Sequence, residues 1–358
     1  MTTSTDFDAA RLEAFVGRFA ADLGAVLHAA TVLTGDRLGL YTAMADGEPV
    51  TPDTLAERTG TDRRMVAEWL AAQAASQYVE YDHDDGTFRL PQEHAFALTD
   101  EYNPIFAPGG LQVAASTLAD VPLVATAMAG NGAVDWGEHH PELFEGTERF
   151  FRPNYIGGLT SEWLPALDGV EEKLRAGATV ADVGCGHGSS TILMAKAYPA
   201  STFVGFDFHP PSVAAARTAA AAAGVGDNCQ FEVASATDFP TEGEGYHLVC
   251  WFDCFHDLGD PAGAARHTRE ALVPDGAMLL VEPRAGDRLE DNLNPVGRIF
   301  YSASTTVCVP ASQAQPVGTA LGAQAGEGRL REVLTGAGFT AVRRVAETPF
   351  NIVLEARP

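Results

Sequence analysis

The sequence predicts an α/β protein in two parts, a mostly helical N-terminal unit followed by a sheet of largely parallel strands. Three observations predict it. Beyond Gly177, short apolar runs (TVADV, TFVGFD, CQFEVA, YHLVCWF and AMLLVEP) alternate with helical stretches. Connections of that length need parallel, right-handed crossovers. Residues 179–207 read as strand, glycine turn, helix and strand, closing on Asp207. The first third of the chain holds helical patterns and one pair of strand-like runs, YVEYDHDDGTFRL, around an Asp-Gly turn.

Residues 11–33 carry an apolar-rich helical pattern, and LGLYTAM (38–44) a short second helix. In TPDTLAER, Thr51 is placed to cap a helix that Pro52 opens, and Gly60 stops it. Thr61 or Asp62 caps the next helix, RRMVAEWLAAQAASQ. Three helices and a hairpin form a winged-helix pattern. Residues 1–105 are therefore expected to be a winged-helix domain. Residues 106–165 are expected to supply linking helices and a cleft segment, and residues 166–358 the α/β domain, with an inserted lid near 287–320. Two closing runs, TAVRRVAET and FNIVLEAR, flank Pro349 and fit an antiparallel hairpin at the sheet edge.

The strand–turn–helix unit carries the chemistry. Gly184, Gly186 and Gly188 alternate after Asp182, giving G-x-G-x-G where a dinucleotide fingerprint needs its third glycine one residue later. Glycines permit positive φ and close backbone approach, and an acid ending the second strand can accept both hydroxyls of a ribose. The acid-turn combination resembles motif I of the class I S-adenosylmethionine-dependent methyltransferases, and the helical first third resembles the winged-helix domain of their actinobacterial, O-methyltransferase-like members. The resemblance implies a Rossmann-like seven-stranded methyltransferase sheet with an antiparallel C-terminal hairpin. It also implies S-adenosyl-L-methionine as cofactor and transfer of its methyl group to a small molecule, by O- or N-methylation.

The same resemblance implies the site. Asp182, Gly184, Gly186, Gly188, Asp207 and Phe208 would hold the methionine and ribose. Ser235 stands where similar enzymes often show an acid, so Ser235 and Ala236 would face the adenine. Phe252 and Asp253 would line the sulfonium pocket, and Tyr155 would lie over the methionine end. FHDLGD resembles the L-H-D-W-x-D stretch of plant-type O-methyltransferases, in which the histidine is a general base; His256 is that candidate, with Leu258 where Trp is usual. Trp136, with His139 and His140 in the same loop, and Arg298, Tyr301 and Ser302 in the insertion are substrate-side candidates. His256 and Asp257 could instead open a metal site, as in some keto-acid C-methyltransferases. No histidine follows His267 to add a ligand, and no metal is expected.

Charge narrows the partners. The net charge is −25, and residues 51–100 hold ten acids against four arginines. A phosphate-binding surface needs the opposite balance, so nucleic acid is not expected, nor an anionic membrane. A winged-helix regulator with a degenerate cofactor domain would need a basic helix face, which this chain does not show. Five cysteines without a C-x-x-C pair fit reduced thiols in a cytoplasm, and the resemblance implies that residues 1–105 are also a dimerisation domain, giving a homodimer. No run of apolar residues long enough to span a bilayer is expected.

Overall fold

In a computed structural model that describes residues 7–241 and 243–358, the chain divides into two compact units, Met1–Ala115 and Ser116–Pro358.

The first unit opens with a helix over Ala9–Arg37, capped by Asp8, whose side chain accepts from the Arg11 N–H. Thr51 caps Pro52–Thr59 as its sequence requires, and Gly60 ends that helix at φ +66°. Asp62 caps Arg63–Ala75. Strands β1 (Glu80–Asp82) and β2 (Thr87–Arg89) pair antiparallel to make the wing. The expected helix over 38–44 is reduced to turns and a 3-10 segment at Thr42–Met44. Buried Gln73 ties the helices together, accepting from Tyr41 Oη at 2.6 Å and donating to Thr31 Oγ1 at 2.9 Å. The arginines of the winged helix are internally paired: Arg58 with Asp46, Arg63 with Asp53, Arg64 with Glu68 and Arg89 with Glu80.

The Ala9–Arg37 helix departs from expectation in one respect, because its length and composition would suffice to cross a membrane. Its apolar residues fall on one stripe: Leu12, Phe15, Val16, Phe19, Leu23, Val26 and Leu27, all exposed. Arg11, Glu13, Arg18 and Asp22 lie outside that stripe. One-sided patterning of this kind marks a packing face.

The second unit is a seven-stranded sheet built from β3 (Thr179–Val183), β4 (Thr202–Asp207), β5 (Cys229–Val233), β6 (Tyr246–Phe252), β7 (Leu272–Pro283), β8 (Ala341–Glu347) and β9 (Asn351–Arg357). The order across it is β5-β4-β3-β6-β7-β9-β8, with β9 antiparallel to both neighbours and the rest parallel. Every strand anticipated from the apolar runs is present. The chain runs outward through β3, β4 and β5 and returns to β6, so the strand order reverses between β3 and β6. A crevice at the carboxyl ends of these strands is where such a sheet receives ligands. Separate apolar layers cover the two faces of the sheet, one around Trp163, Phe203 and Leu248, the other around Phe206, Trp251 and Phe255.

Two glycines of this unit cannot carry side chains. Gly188 sits at φ +82°, and a Cβ there would lie 2.6 Å from the Phe231 ring. Gly205, inside β4, would meet the same ring at 2.5 Å. We predict that Gly188→Ala costs about 1–3 kcal/mol. Gly17→Ala, in an open stretch of the first helix, gains about 0.5–1 kcal/mol. Chemical denaturation of the two variants beside the wild type checks both signs.

Candidate active site

The glycine turn is held by two buried carboxylates. Asp182, only 1% exposed at the end of β3, accepts hydroxyl hydrogen bonds from Ser190 and Thr191, both at 2.6 Å. Its other oxygen is buried without a partner. Asp182 thus fixes the turn from beneath and shapes the cradle rather than lining it. Burial raises its carboxyl to about 6, opposed by the two hydroxyls. Asp207, at the end of β4, closes the turn from the other side: Oδ2 accepts from the Gly186 N–H and Oδ1 from the His209 N–H, each at 2.9 Å. Every carboxylate oxygen has two acceptor sites, so both oxygens of Asp207 keep one for a vicinal diol.

Gly184, Gly186 and Gly188 all have positive φ, but they differ in surroundings. A Cβ at Gly184 would strike Cys254 Sγ at 2.5 Å, whereas one at Gly186 would meet no heavy atom within 4 Å. Gly186 therefore faces open space that a ligand can fill, beside the free acceptor sites of Asp207. Tyr155 is buried against Phe252, ring centroids 5.3 Å apart. It begins a π-helical stretch, Tyr155–Trp163, that follows Pro153 in the preceding helix. A proline without a donor N–H favours such a widened turn. Burial, with Asp253 and Asp182 nearby, holds the Tyr155 hydroxyl well above its ordinary range and so neutral.

His256 follows β6 in a 3-10 turn and is buried. Its Nδ1 lies 2.8 Å from Glu282 Oε2, at the end of β7, and its Nε2 lies 3.1 Å from Asp257 Oδ1. Burial alone would lower its pKa, but Asp257 and Glu282 overcome this and raise it well above the ordinary value. Glu282 also accepts from the Phe255 N–H, which locks the turn. Asp253 sits at φ +51°, and its carboxylate accepts from Asn351 Nδ2. Burial, then the charge on Glu282, pushes Asp253 well above the ordinary carboxylate range.

The insertion after β7 is helical (Pro295–Ala303, Ser304–Cys308 and Val309–Ala314) and is fastened to the His256 turn. Gln315 Nε2 donates to the Asp257 carbonyl and Ser312 Oγ to the Leu258 carbonyl. Cys308 is buried and brought beside His256 and Asp257. On the other side, His139 is buried with Nδ1 2.8 Å from Asp120 Oδ2.

The remaining expected residues divide. Trp136 joins an aromatic row with Phe144 and His209, at centroid spacings of 5.6 Å and 4.6 Å, which ends beside Asp207. Phe208 and Ser235 are exposed, and Ala236 is half-buried. Ser235 makes a turn contact with Thr237. Arg298 and Ser302 lie on the exposed face of Pro295–Ala303, with Ser302 donating to the Arg298 carbonyl; Tyr301 is half-buried beside them. The insertion brings Cys308 to His256. Sequence reasoning did not single out Glu282, Cys308, Asp120 or Phe144. Glu282 was legible in principle, as an acid at the carboxyl end of a strand.

Comparison with known proteins places this geometry. A family model described as a methyltransferase domain matches residues 174–334, and one described as an Rv2258c-like winged HTH domain matches residues 27–100. The chain carries a methyltransferase domain behind a winged-helix domain. Among curated relatives, the 27-O-demethylrifamycin SV methyltransferase of Amycolatopsis mediterranei is 31% identical over 107 residues, 30% of this chain and 39% of that protein. The chloroplastic tocopherol O-methyltransferase of Arabidopsis thaliana is 30% identical over 157 residues, 41% of this chain and 44% of that protein. The chain thus spans about two fifths of the length of these curated relatives.

Solved structures share the fold over nearly the whole chain. Mitomycin 7-O-methyltransferase superposes with a TM-score of 0.67 at 18% identity, covering 98% of this chain and 100% of that one. Human N-acetylserotonin methyltransferase, solved with S-adenosylmethionine, gives 0.67 at 17% identity, covering 99% of each chain. The methyltransferase domain has the fold of S-adenosylmethionine-dependent enzymes, and its turn fits that cofactor: open space at Gly186, and spare acceptor sites on Asp207.

The raised carboxyl of Asp182 predicts a pH effect. Its folded value of about 6 stands above an unfolded value near 3.8. The fold therefore favours the protonated acid. Its contribution is full below about pH 4 and is lost as pH rises through about 6, a change on the order of 3 kcal/mol. Asp182→Asn should remove that part of the slope. Urea denaturation of both proteins across this range checks it, through the difference between the two profiles.

Proposed function

We propose that the chain transfers the methyl group of S-adenosylmethionine to a nucleophilic oxygen or nitrogen of a small molecule. The observation that carries the reading is the convergence of the Gly186–Asp207 cradle and the His256 cluster at the carboxyl ends of β3, β4 and β6. When bound, the cofactor supplies a methyl carbon activated by a sulfonium. The chain's own residues do the rest. Asp207 takes the ribose hydroxyls, with Phe208 beside it and Ser235 and Ala236 near the base. The turn through Gly184 and Gly188 takes the amino-acid end. Tyr155 and Phe252 form an aromatic wall that keeps water from the reacting carbon, and Asp253 supports the backbone there. Proximity and exclusion of water supply much of such a reaction's rate.

His256 is the residue that meets the acceptor's reacting group, through Nε2. Glu282 fixes its ring by holding Nδ1. As a general base it would need Asp257 to give up its place at Nε2. Trp136, Arg298, Tyr301 and Ser302 remain the substrate-side proposals.

A small acceptor suits the charge of the molecule better than a nucleic acid, because the arginines of the winged helix are spent on internal ion pairs. We further propose that the exposed stripe of the first helix pairs two copies into a cytoplasmic homodimer. Sedimentation of a Phe15→Asp/Phe19→Asp double variant should show a monomer where the wild type is dimeric; an unchanged species would remove that assignment.

Activity is tested by incubating the protein with methyl-labelled S-adenosylmethionine and a panel of phenols, enols and amines. Mass spectrometry should show one methyl group added to an acceptor. In His256→Ala the rate should fall about 10²- to 10⁴-fold while cofactor affinity is kept. A variant with full turnover at neutral pH would remove His256 from the mechanism.

A further inference from the structure

A largely buried ion pair flanks the glycine turn. Glu148 and Arg152, one turn apart on the helix Glu142–Asn154, share two hydrogen bonds: Arg152 Nε donates to Oε1 at 2.7 Å and Nη2 to Oε2 at 2.6 Å. Their side chains are only 15% and 12% exposed. Ser189, the residue after Gly188, donates its hydroxyl to Oε1 of the same carboxylate. Glu148 is also near enough for its charge to act on the Tyr155 hydroxyl and the His187 imidazole, although burial is the larger influence on both. These four neighbours place the Glu148 carboxylate between the aromatic wall of Tyr155 and the turn.

Such a pair is a poor means of stabilising the fold. Two charges withdrawn from water regain little beyond the cost of their desolvation. Fastening the helix to the turn would need only the Ser189 hydroxyl and a neutral acceptor. A carboxylate is more than packing asks for, and its acceptor sites show what else it can take. Oε1 is met by Arg152 and Ser189, but Oε2, among the described residues, by Arg152 alone. One of the two acceptor sites on Oε2 is therefore left for a further donor.

The surroundings identify that donor. Gly186 leaves open space on the same turn. The start of the helix Ser189–Ala197 favours an anion such as a carboxylate. Glu148, beside that start, favours a cation that donates hydrogen bonds. An ammonium and a carboxylate on one carbon, as at the end of an amino acid, match the two together.

We propose that Glu148 receives the α-ammonium of the cofactor's amino-acid end, with Arg152 orienting its carboxylate and Ser189 tying it to the turn. The proposal rests on the reading of the cradle as an S-adenosylmethionine site and adds to it a side chain from outside the βαβ unit. It makes Glu148 a specificity-determining residue. An amino-acid-bearing nucleoside gains a charge-assisted hydrogen bond there, whereas the pyrophosphate of a dinucleotide meets a like charge.

Calorimetry of the full-length protein with two ligands tests this: S-adenosylhomocysteine, and its deaminated analogue, in which hydrogen replaces the amino group. The wild type should bind the first about 10- to 100-fold more tightly. Glu148→Gln keeps an oxygen for Ser189 but removes the charge, and it should bring that ratio close to one by weakening S-adenosylhomocysteine alone. Glu148→Asp withdraws the charge along the side chain; it should lower the ratio in the same sense, and it reads the same site should Glu148→Gln fail to fold. A ratio unchanged in the folded variants, or an equal loss for both ligands as expected of a mere fastening, would overturn the proposal. No binding of S-adenosylhomocysteine by the wild type would overturn the cofactor reading on which it rests.

Discussion

Two buried carboxylates on adjacent strands hold the glycine turn, and the rest of the catalytic unit depends on that restraint. Asp182 receives the Ser190 and Thr191 hydroxyls from the first turn of the following helix, and Asp207 receives the Gly186 N–H. Neither contact would be stable in isolation, since burying a carboxylate is costly unless its lone pairs are met. Here the parallel pairing of β3 with β4, with Asp182 opposite Gly205, brings the two acids to the carboxyl ends of adjacent strands. The loop is thereby fixed in a conformation that only glycine adopts readily. Gly186 and Asp207 then present open space and free acceptor sites at one place.

The second half of the site depends on the insertion after β7. A bare turn after β6 would leave His256 beside Glu282 and little else. The segment 289–325 is fastened over that turn by Gln315 and Ser312 and delivers Cys308 to its open side. From the opposite direction, the Asp120–His139 pair comes from the break between the helices Pro108–Ala119 and Val121–Ala129 and the loop after them. The site is therefore assembled from segments more than a hundred residues apart, and each arrives with its own carboxylate or backbone anchor.

That assembly explains what was legible in the sequence. The sheet was legible almost strand for strand, because a buried parallel strand is a short apolar run bounded by turn residues. The caps at Thr51 and Asp62 were legible because they act within one helical turn. Asp182, Gly186 and Asp207 lie within one strand–turn–helix–strand unit, so the turn they build was legible as a local pattern. Cys308, Glu282 and Asp120 were not, because each matters only through residues distant in the chain. The membrane-like composition of Ala9–Arg37 was missed for a related reason: its apolar residues form a stripe rather than an unbroken run.

The central claim is that the turn from Gly184 to Gly188 is a cradle for the methionine and ribose of S-adenosylmethionine. The most direct measurement is a calorimetric titration of the full-length protein with S-adenosylhomocysteine, run beside one with NADH. One S-adenosylhomocysteine site per chain, abolished in Asp207→Ala and without any response to NADH, is the predicted result. Binding of NADH with no heat from S-adenosylhomocysteine would contradict it.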